Sequence, residues 1–107
     1  MVDAGREADM AHYIALVNYT DKGIANVKDS PARLDRARAL LREMGGDFKQ
    51  VYLTMGQHDM VIAYEAPDDA TAARFTLRLG MLGYVRTSTL KAFPEAAYRE
   101  IIAHLGG

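Results

Sequence analysis

Apolar and polar positions follow two different periods along this chain, and the switches between them lay out its elements. From residue 12 to 19 the chain is β-branched, aliphatic and aromatic. Ile14 and Leu16 fall on one side of an extended backbone, and Tyr13, Ala15 and Val17 on the other. This predicts a first strand with apolar residues on both faces. Thr20 and Asp21 break the strand and open a helical turn. Ser30-Pro31 then offers an N-cap followed by a proline at the first helical position. Leu34, Ala37, Leu41 and Met44 recur on one helix face until Gly45-Gly46 ends it. A second strand is predicted over residues 48–54, a turn at Gly56-Gln57 and a third strand over 59–65. Pro67 closes that strand and Asp68 caps a helix with Ala72, Ala73, Phe75, Leu79 and Leu82 along its buried face, ending at Gly83. A fourth strand over 84–93 precedes a last helix that starts at Pro94-Glu95. Ala97, Tyr98, Ile101, Ile102 and Leu105 lie along one side of it. Residues 1–11 show no period and read as a flexible leader to a single domain over 12–107, with Met10 as an alternative start of translation.

The order β-α-β-β-α-β with a terminal helix defines an α+β class, the split β-α-β arrangement of ferredoxin-like folds, with an antiparallel four-stranded sheet in the order 4-1-3-2. That order demands that strands one and three be central. They are the two with apolar residues on both faces: Met60 and Ile62 oppose Val61 and Ala63 in strand three as Ile14 and Leu16 oppose Tyr13, Ala15 and Val17 in strand one. Strands two and four carry Gln50, Thr54, Arg86, Thr87, Ser88 and Thr89, as sheet edges do. Two helices cover one face of such a sheet, so the second apolar face calls for another partner. A second subunit is the economical one; the alternative is that the C-terminal helix folds back over the open face.

At 107 residues, 50% hydrophobic and 25% charged, the chain suits one globular domain with a modest core. A formal charge of -1 supplies no overall field to gather nucleic acid. The first long helix is locally basic through Lys22, Lys28, Arg33, Arg36, Arg38 and Arg42. Asp29, Asp35 and Glu43 interleave with them and no aromatic stacking platform accompanies them, so the basic residues read as a solvated face. The absence of cysteine excludes disulfides, thiolate zinc sites and cysteine nucleophiles. No apolar run approaches a membrane span and the charged start argues against a signal peptide, so a cytoplasmic protein without membrane contacts is expected.

Four stretches carry a resemblance. They are Tyr13-Ile14-Ala15-Leu16-Val17-Asn18-Tyr19-Thr20-Asp21-Lys22-Gly23, the turn around Gly56 and Asp59, Glu65-Ala66-Pro67-Asp68-Asp69, and Leu82-Gly83-Tyr84-Val85-Arg86-Thr87-Ser88-Thr89-Leu90 with Phe93. Over residues 12–93 the chain resembles the GYD domain family of the dimeric α+β barrel superfamily. The family's namesake glycine, tyrosine and aspartate fall near Gly56, His58 and Asp59, with histidine here in place of the tyrosine, so a role of that phenol does not carry over. The resemblance implies a homodimer, or a larger assembly built on it, in which two sheets face each other across a two-fold axis. Similar barrels in the superfamily serve as cofactor-free monooxygenases, haem-degrading enzymes, isomerases and ligand-sensing domains, and fold analogy does not choose among them.

In a 4-1-3-2 sheet the end of strand one lies beside the starts of strands three and four, which gathers Asn18, Tyr19, His58, Asp59, Tyr84 and Arg86 at one edge. With Tyr52 on the neighbouring strand, these are the candidate ligand-binding residues. The competing reading is that Asp59 and Asn18 satisfy turn backbone groups and Arg86 forms a rim ion pair. His58 and Asp59 are adjacent and point to opposite faces, so they do not readily form a base-and-orienter pair. His12 and His104 fit no zinc spacing, and neither metal nor cofactor is expected. Gly80-Met81-Leu82-Gly83 ends a helix and reads as a C-cap rather than a phosphate loop. The function expected is a homodimeric barrel holding a small apolar ligand, without an evident catalytic motif. Two alternatives stand beside it. One is a cofactor-independent monooxygenase or isomerase acting on an apolar or aromatic molecule, with His58 or Asp59 as base, Arg86 steadying an oxyanion and Tyr19 or Tyr52 donating hydrogen bonds. The other is a structural assembly module. Removing residues 1–9 is expected to leave the thermal midpoint nearly unchanged; a fall of many degrees in a calorimetric scan would mean that this segment covers or pairs with the sheet.

Overall fold

The computed structural model describes residues 10–107; most of the expected leader, residues 1–9, lies outside them. The elements are β1 (Ala11–Tyr19), α1 (Asp21–Ala25), a 3-10 turn (Val27–Asp29), α2 (Ser30–Glu43), β2 (Asp47–Leu53), β3 (Met60–Ala66), α3 (Asp69–Met81), β4 (Val85–Ala92) and α4 (Glu95–Ala103). All strand pairs are antiparallel and the order is β2-β3-β1-β4, which is 4-1-3-2 read from the other edge. The fold is therefore the ferredoxin-like α+β arrangement.

Local chemistry sets the element ends. Thr20 caps α1 by accepting from the Gly23 N–H at 3.0 Å, and its hydroxyl donates to the Gly83 carbonyl at 2.6 Å. Asp68 caps α3 through the Thr71 N–H at 2.8 Å. Ser30 does not cap α2 as its sequence context suggests. The 3-10 turn runs straight into the helix, so Asp29 holds the cap position without a side-chain bond, and Ser30 lies in the first helical turn.

Helices α2 and α3 cover one face of the sheet. Beneath them lie Tyr13, Ala15 and Val17 of β1, Ile62 and Tyr64 of β3 and Phe48 of β2, closed by Leu41 of α2 and Ala72 and Phe75 of α3. Tyr64 stacks on Tyr13 with ring centroids 5.3 Å apart, and Phe75 meets both Tyr64 and Phe48 edge-on at 5.5 and 6.0 Å. Such pairs contribute about 0.5–1.5 kcal/mol each beyond the area they bury. Ala73 and Leu82, expected on the buried face of α3, are exposed, because the stripe facing the sheet narrows to Ala72, Phe75 and Leu79.

Phe48 and Val51 both pack toward this core although they are three residues apart. A bulge makes that possible: Phe48 pairs with Tyr64, Gln50 with Ala63, and Lys49 is the extra residue between them. On the other face, Ile14, Leu16, Val61 and Ala63 line up through the β1–β3 register, with Leu90 of β4 beside Ile14. The C-terminal helix does not bury itself: no residue of α4 is buried, and Tyr98, Ile101, Ile102 and Leu105 are 45–71% exposed.

Helix α1 is pinned to the start of β4. A Cβ added at Gly23 would lie 2.0 Å from the Tyr84 carbonyl oxygen, a backbone atom with little freedom to retreat. Gly23→Ala is therefore expected to destabilise the chain by at least about 1–3 kcal/mol in urea unfolding, the range seen for overpacked sites; an unchanged midpoint would show that the two backbones separate freely.

Candidate functional site

The polar edge of the sheet is built by the β2–β3 turn. Gly56 takes φ +120°, a value that L side chains rarely adopt, and the chain then returns along β1. The Asp59 N–H donates to the Val17 carbonyl at 2.8 Å, and its carboxylate accepts from the Tyr19 N–H at 2.9 Å. Asn18 donates its amide to the Gln57 carbonyl at 2.9 Å, which leaves its oxygen to accept the Nδ1 proton of His58 at 2.8 Å. The Thr54 hydroxyl donates to the His58 carbonyl at 2.6 Å. Asn18, His58 and Asp59 thus come together, and the Asn18 amide, His58 Nδ1 and one Asp59 carboxylate oxygen bond within the turn and to β1.

The remaining candidates disperse. Arg86 pairs across from Asn18 on the edge strand, is exposed, and reaches toward Gly80 at the end of α3. Tyr52 is 56% exposed and donates only to the Gln50 side chain. Of the seven, Tyr19 and Tyr84 line an apolar cavity beneath the helices and the other five do not.

That cavity, about 90 Å³, lies between the sheet and helices α2 and α3. Its inner walls are apolar, with Val17, Ile62, Phe75 and Leu79 among them. At its outer end stand the half-buried Tyr19, Arg33 and Tyr84. The Tyr84 ring is sandwiched by two cations, the Arg33 guanidinium 4.2 Å and the Lys22 ammonium 4.3 Å from its centroid. Arg33 is therefore not part of a solvated basic face. It occupies the same inward stripe of α2 as Leu34, Ala37 and Leu41, and Nη1 donates to the Asn26 carbonyl at 3.1 Å. That charged residue on an apolar stripe was the signal available in the sequence.

Three residues that line this cavity carry a polar atom that is fully buried and has no hydrogen-bond partner of good geometry among the described residues: Arg33 Nη2, Thr87 Oγ1 and Tyr64 Oη, the last lying toward the Thr76 and Thr89 hydroxyls. Each such group left unpaired costs about 1–3 kcal/mol. Burial pushes the Tyr64 phenol above its ordinary pKa, against the opposite pull of the Thr76 and Thr89 hydroxyls, so it remains a neutral donor. On the far side of the sheet's helix face the Tyr13 hydroxyl donates to Asp69, and Lys91 Nζ lies 2.7 Å from the same oxygen. Lys91 first and Tyr13 second hold that carboxyl below its usual range, while burial and Asp69 push the Tyr13 phenol well up. This triad ties the first turn of α3 to β1 and β4. Among the described residues no group of three or more His, Asp or Glu side chains is placed to hold a metal ion. No helix among them is long and apolar enough to cross a membrane.

Sequence similarity places this frame, a ferredoxin-like sheet with an occupied polar turn and an apolar cavity, in a family. The GYD domain matches residues 13–102, and the chain belongs to that family. A Thermus thermophilus protein, the glutamine synthetase and cystathionine beta-lyase binding protein, is 36% identical over 97 residues, covering 90% of this chain and 99% of the relative. No solved structure matches. Asn18→Ala removes both of its turn bonds and is expected to cost about 1 kcal/mol in urea unfolding, with faster amide exchange confined to the turn. An unaltered exchange pattern would mean that Asn18 does not hold the turn.

Proposed function

We propose that this chain is a homodimeric binding protein that attaches to a metabolic enzyme, with glutamine synthetase and cystathionine beta-lyase the first partners to test. The observation that carries the reading is the second apolar face of the sheet, where Ile14, Leu16, Val61 and Ala63 are only half-buried and Leu90 is exposed, while their neighbours on the helix side are buried. The end-to-end similarity to a relative named for binding two enzymes supports the choice of partners.

Area decides how a second copy would sit. Four strands roughly 4.8 Å apart and about 20 Å long span on the order of 400 Å², half of the ~800 Å² that each partner contributes to a stable interface. The exposed stripe of α4 supplies the missing apolar surface, so the second copy covers the sheet and α4 together. Between the two sheets, Ile14, Leu16, Val61 and Leu90 of each copy form an apolar barrel interior. A small apolar molecule held there, in a cytoplasmic dimer, is the same reading at finer grain.

Sedimentation equilibrium at micromolar concentration is expected to give a dimer. Val61→Glu, on the open face, and the double change Ile101→Glu with Ile102→Glu, on α4, should each shift it to monomer. A stable, folded wild-type monomer would overturn the dimer. Surface-immobilised glutamine synthetase and cystathionine beta-lyase from the same organism should show saturable binding of the wild type by at least one of them, and binding by neither would overturn the enzyme-partner reading.

A further inference from the structure

We propose that the cavity between the sheet and helices α2 and α3 is a binding site for a compact, neutral, apolar molecule of about four non-hydrogen atoms. The site lies on the helix side of the sheet, away from the second apolar face. It depends neither on the dimer nor on an enzyme partner.

The wall decides the chemistry. It is almost wholly apolar, with Val17, Met60, Ile62, Phe75 and Leu79 around the space. The unpartnered Arg33 Nη2, Thr87 Oγ1 and Tyr64 Oη belong to residues that line it, yet all three atoms are fully buried, so none is presented to a guest. A polar or charged molecule would shed its water there and gain no hydrogen bond from these atoms in return. An apolar one leaves only unfavourable hydration behind and gains dispersion contacts with the surrounding side chains. Volume sets the size. An apolar cavity of roughly 150 Å³ accommodates the six carbons of benzene. By the same ratio a cavity of about 90 Å³ holds a guest of about four non-hydrogen atoms, which excludes fatty acids, nucleotides and haem.

The outer wall explains why the space persists. Side chains relax into a void where they can, and protein interiors keep few voids larger than a water molecule. Here Tyr84 is fixed twice. Its carbonyl accepts from the Thr20 N–H at 3.0 Å with Gly23 lying against the same group, and its ring is held between the Lys22 ammonium and the Arg33 guanidinium. Arg33 is itself tied to the Asn26 carbonyl. On the sheet side, Val17 and Ile62 belong to the central strands, whose ladder holds them in place. Walls held apart in this way forfeit contacts that a guest of the right size restores. It enters at the outer end, where Tyr19, Arg33 and Tyr84 are half-buried rather than sealed.

The test is a nuclear magnetic resonance titration of isotope-labelled full-length protein with xenon and with 2-methylpropene, the latter matched by acetone, acetate and acetamidinium, which share its planar skeleton. Saturable shifts centred on Val17, Ile62 and Leu79, with 2-methylpropene bound at least about ten-fold more tightly than acetone and neither ion bound, support the site. Ala37→Leu, which enlarges a side chain of the cavity wall, should abolish binding of both apolar probes, and Leu79→Ala should widen the space enough to admit benzene. If neither variant folds by circular dichroism, the wild-type series decides alone. Absence of saturable binding by xenon and 2-methylpropene would overturn the proposal. So would acetone bound as tightly as 2-methylpropene, because a polar group would then reach the space. Shifts centred instead on Ile14, Leu16 and Leu90 would put the apolar site on the other face of the sheet and overturn it as well.

Discussion

The antiparallel ladder between β1 and β3, running from Ala11↔Ala66 to Val17↔Met60, is the constraint on which the rest of the structure depends. Every side chain on these central strands is committed by it to one of two faces. A slip of one residue would carry Tyr13, Ala15 and Val17 from beneath the helices to the open side and bring Ile14 and Leu16 in their place, and the Tyr13–Tyr64 stack would be lost with it. Asp59 secures the register at the turn end by bonding the backbone of both Val17 and Tyr19. The triad of Tyr13, Asp69 and Lys91 secures it near the other end, where α3 begins.

Because the ladder divides the side chains strictly, one sheet serves two distinct surfaces. The helix-facing side is closed by aromatic packing of Tyr64, Phe75 and Phe48, with an apolar cavity beside Val17 and Ile62. The opposite side offers a smaller and simpler apolar surface of Ile14, Leu16, Val61 and Ala63. The cavity beneath the helices and the second apolar face therefore lie on opposite faces of the same strands.

The α1 segment braces the cavity's outer end. Gly23 lets α1 lie against the Tyr84 backbone, Thr20 bonds Gly83, and Lys22 then reaches the ring of Tyr84 that Arg33 covers from the other side. Tyr84 is thus fixed by its backbone and by both faces of its ring. The arrangement accounts for a cation on an otherwise apolar helix stripe: stacking on an aromatic ring and one carbonyl contact offset part of the desolvation of Arg33.

Strand order, the two-faced character of β1 and β3 and the family resemblance were legible in the sequence, because period-two and helical repeats report directly on which side of an element is buried. The juxtaposition of Asn18 with His58 and Asp59 followed from topology alone. Three things did not follow. The bulge at Lys49 depends on how β2 must bend to place both Phe48 and Val51 in the core. The inward course of Arg33 depends on Tyr84, which lies 51 positions away in sequence and becomes its stacking partner only when β4 joins the sheet. The bonds that His58 Nδ1 makes to the Asn18 side chain and the Asp59 carboxylate to the Tyr19 N–H, which brace the turn, depend on atoms of β1. Periodicity fixes the face a residue occupies; which groups meet across that face is decided by packing between elements distant in the chain, and only the tertiary structure contains that information.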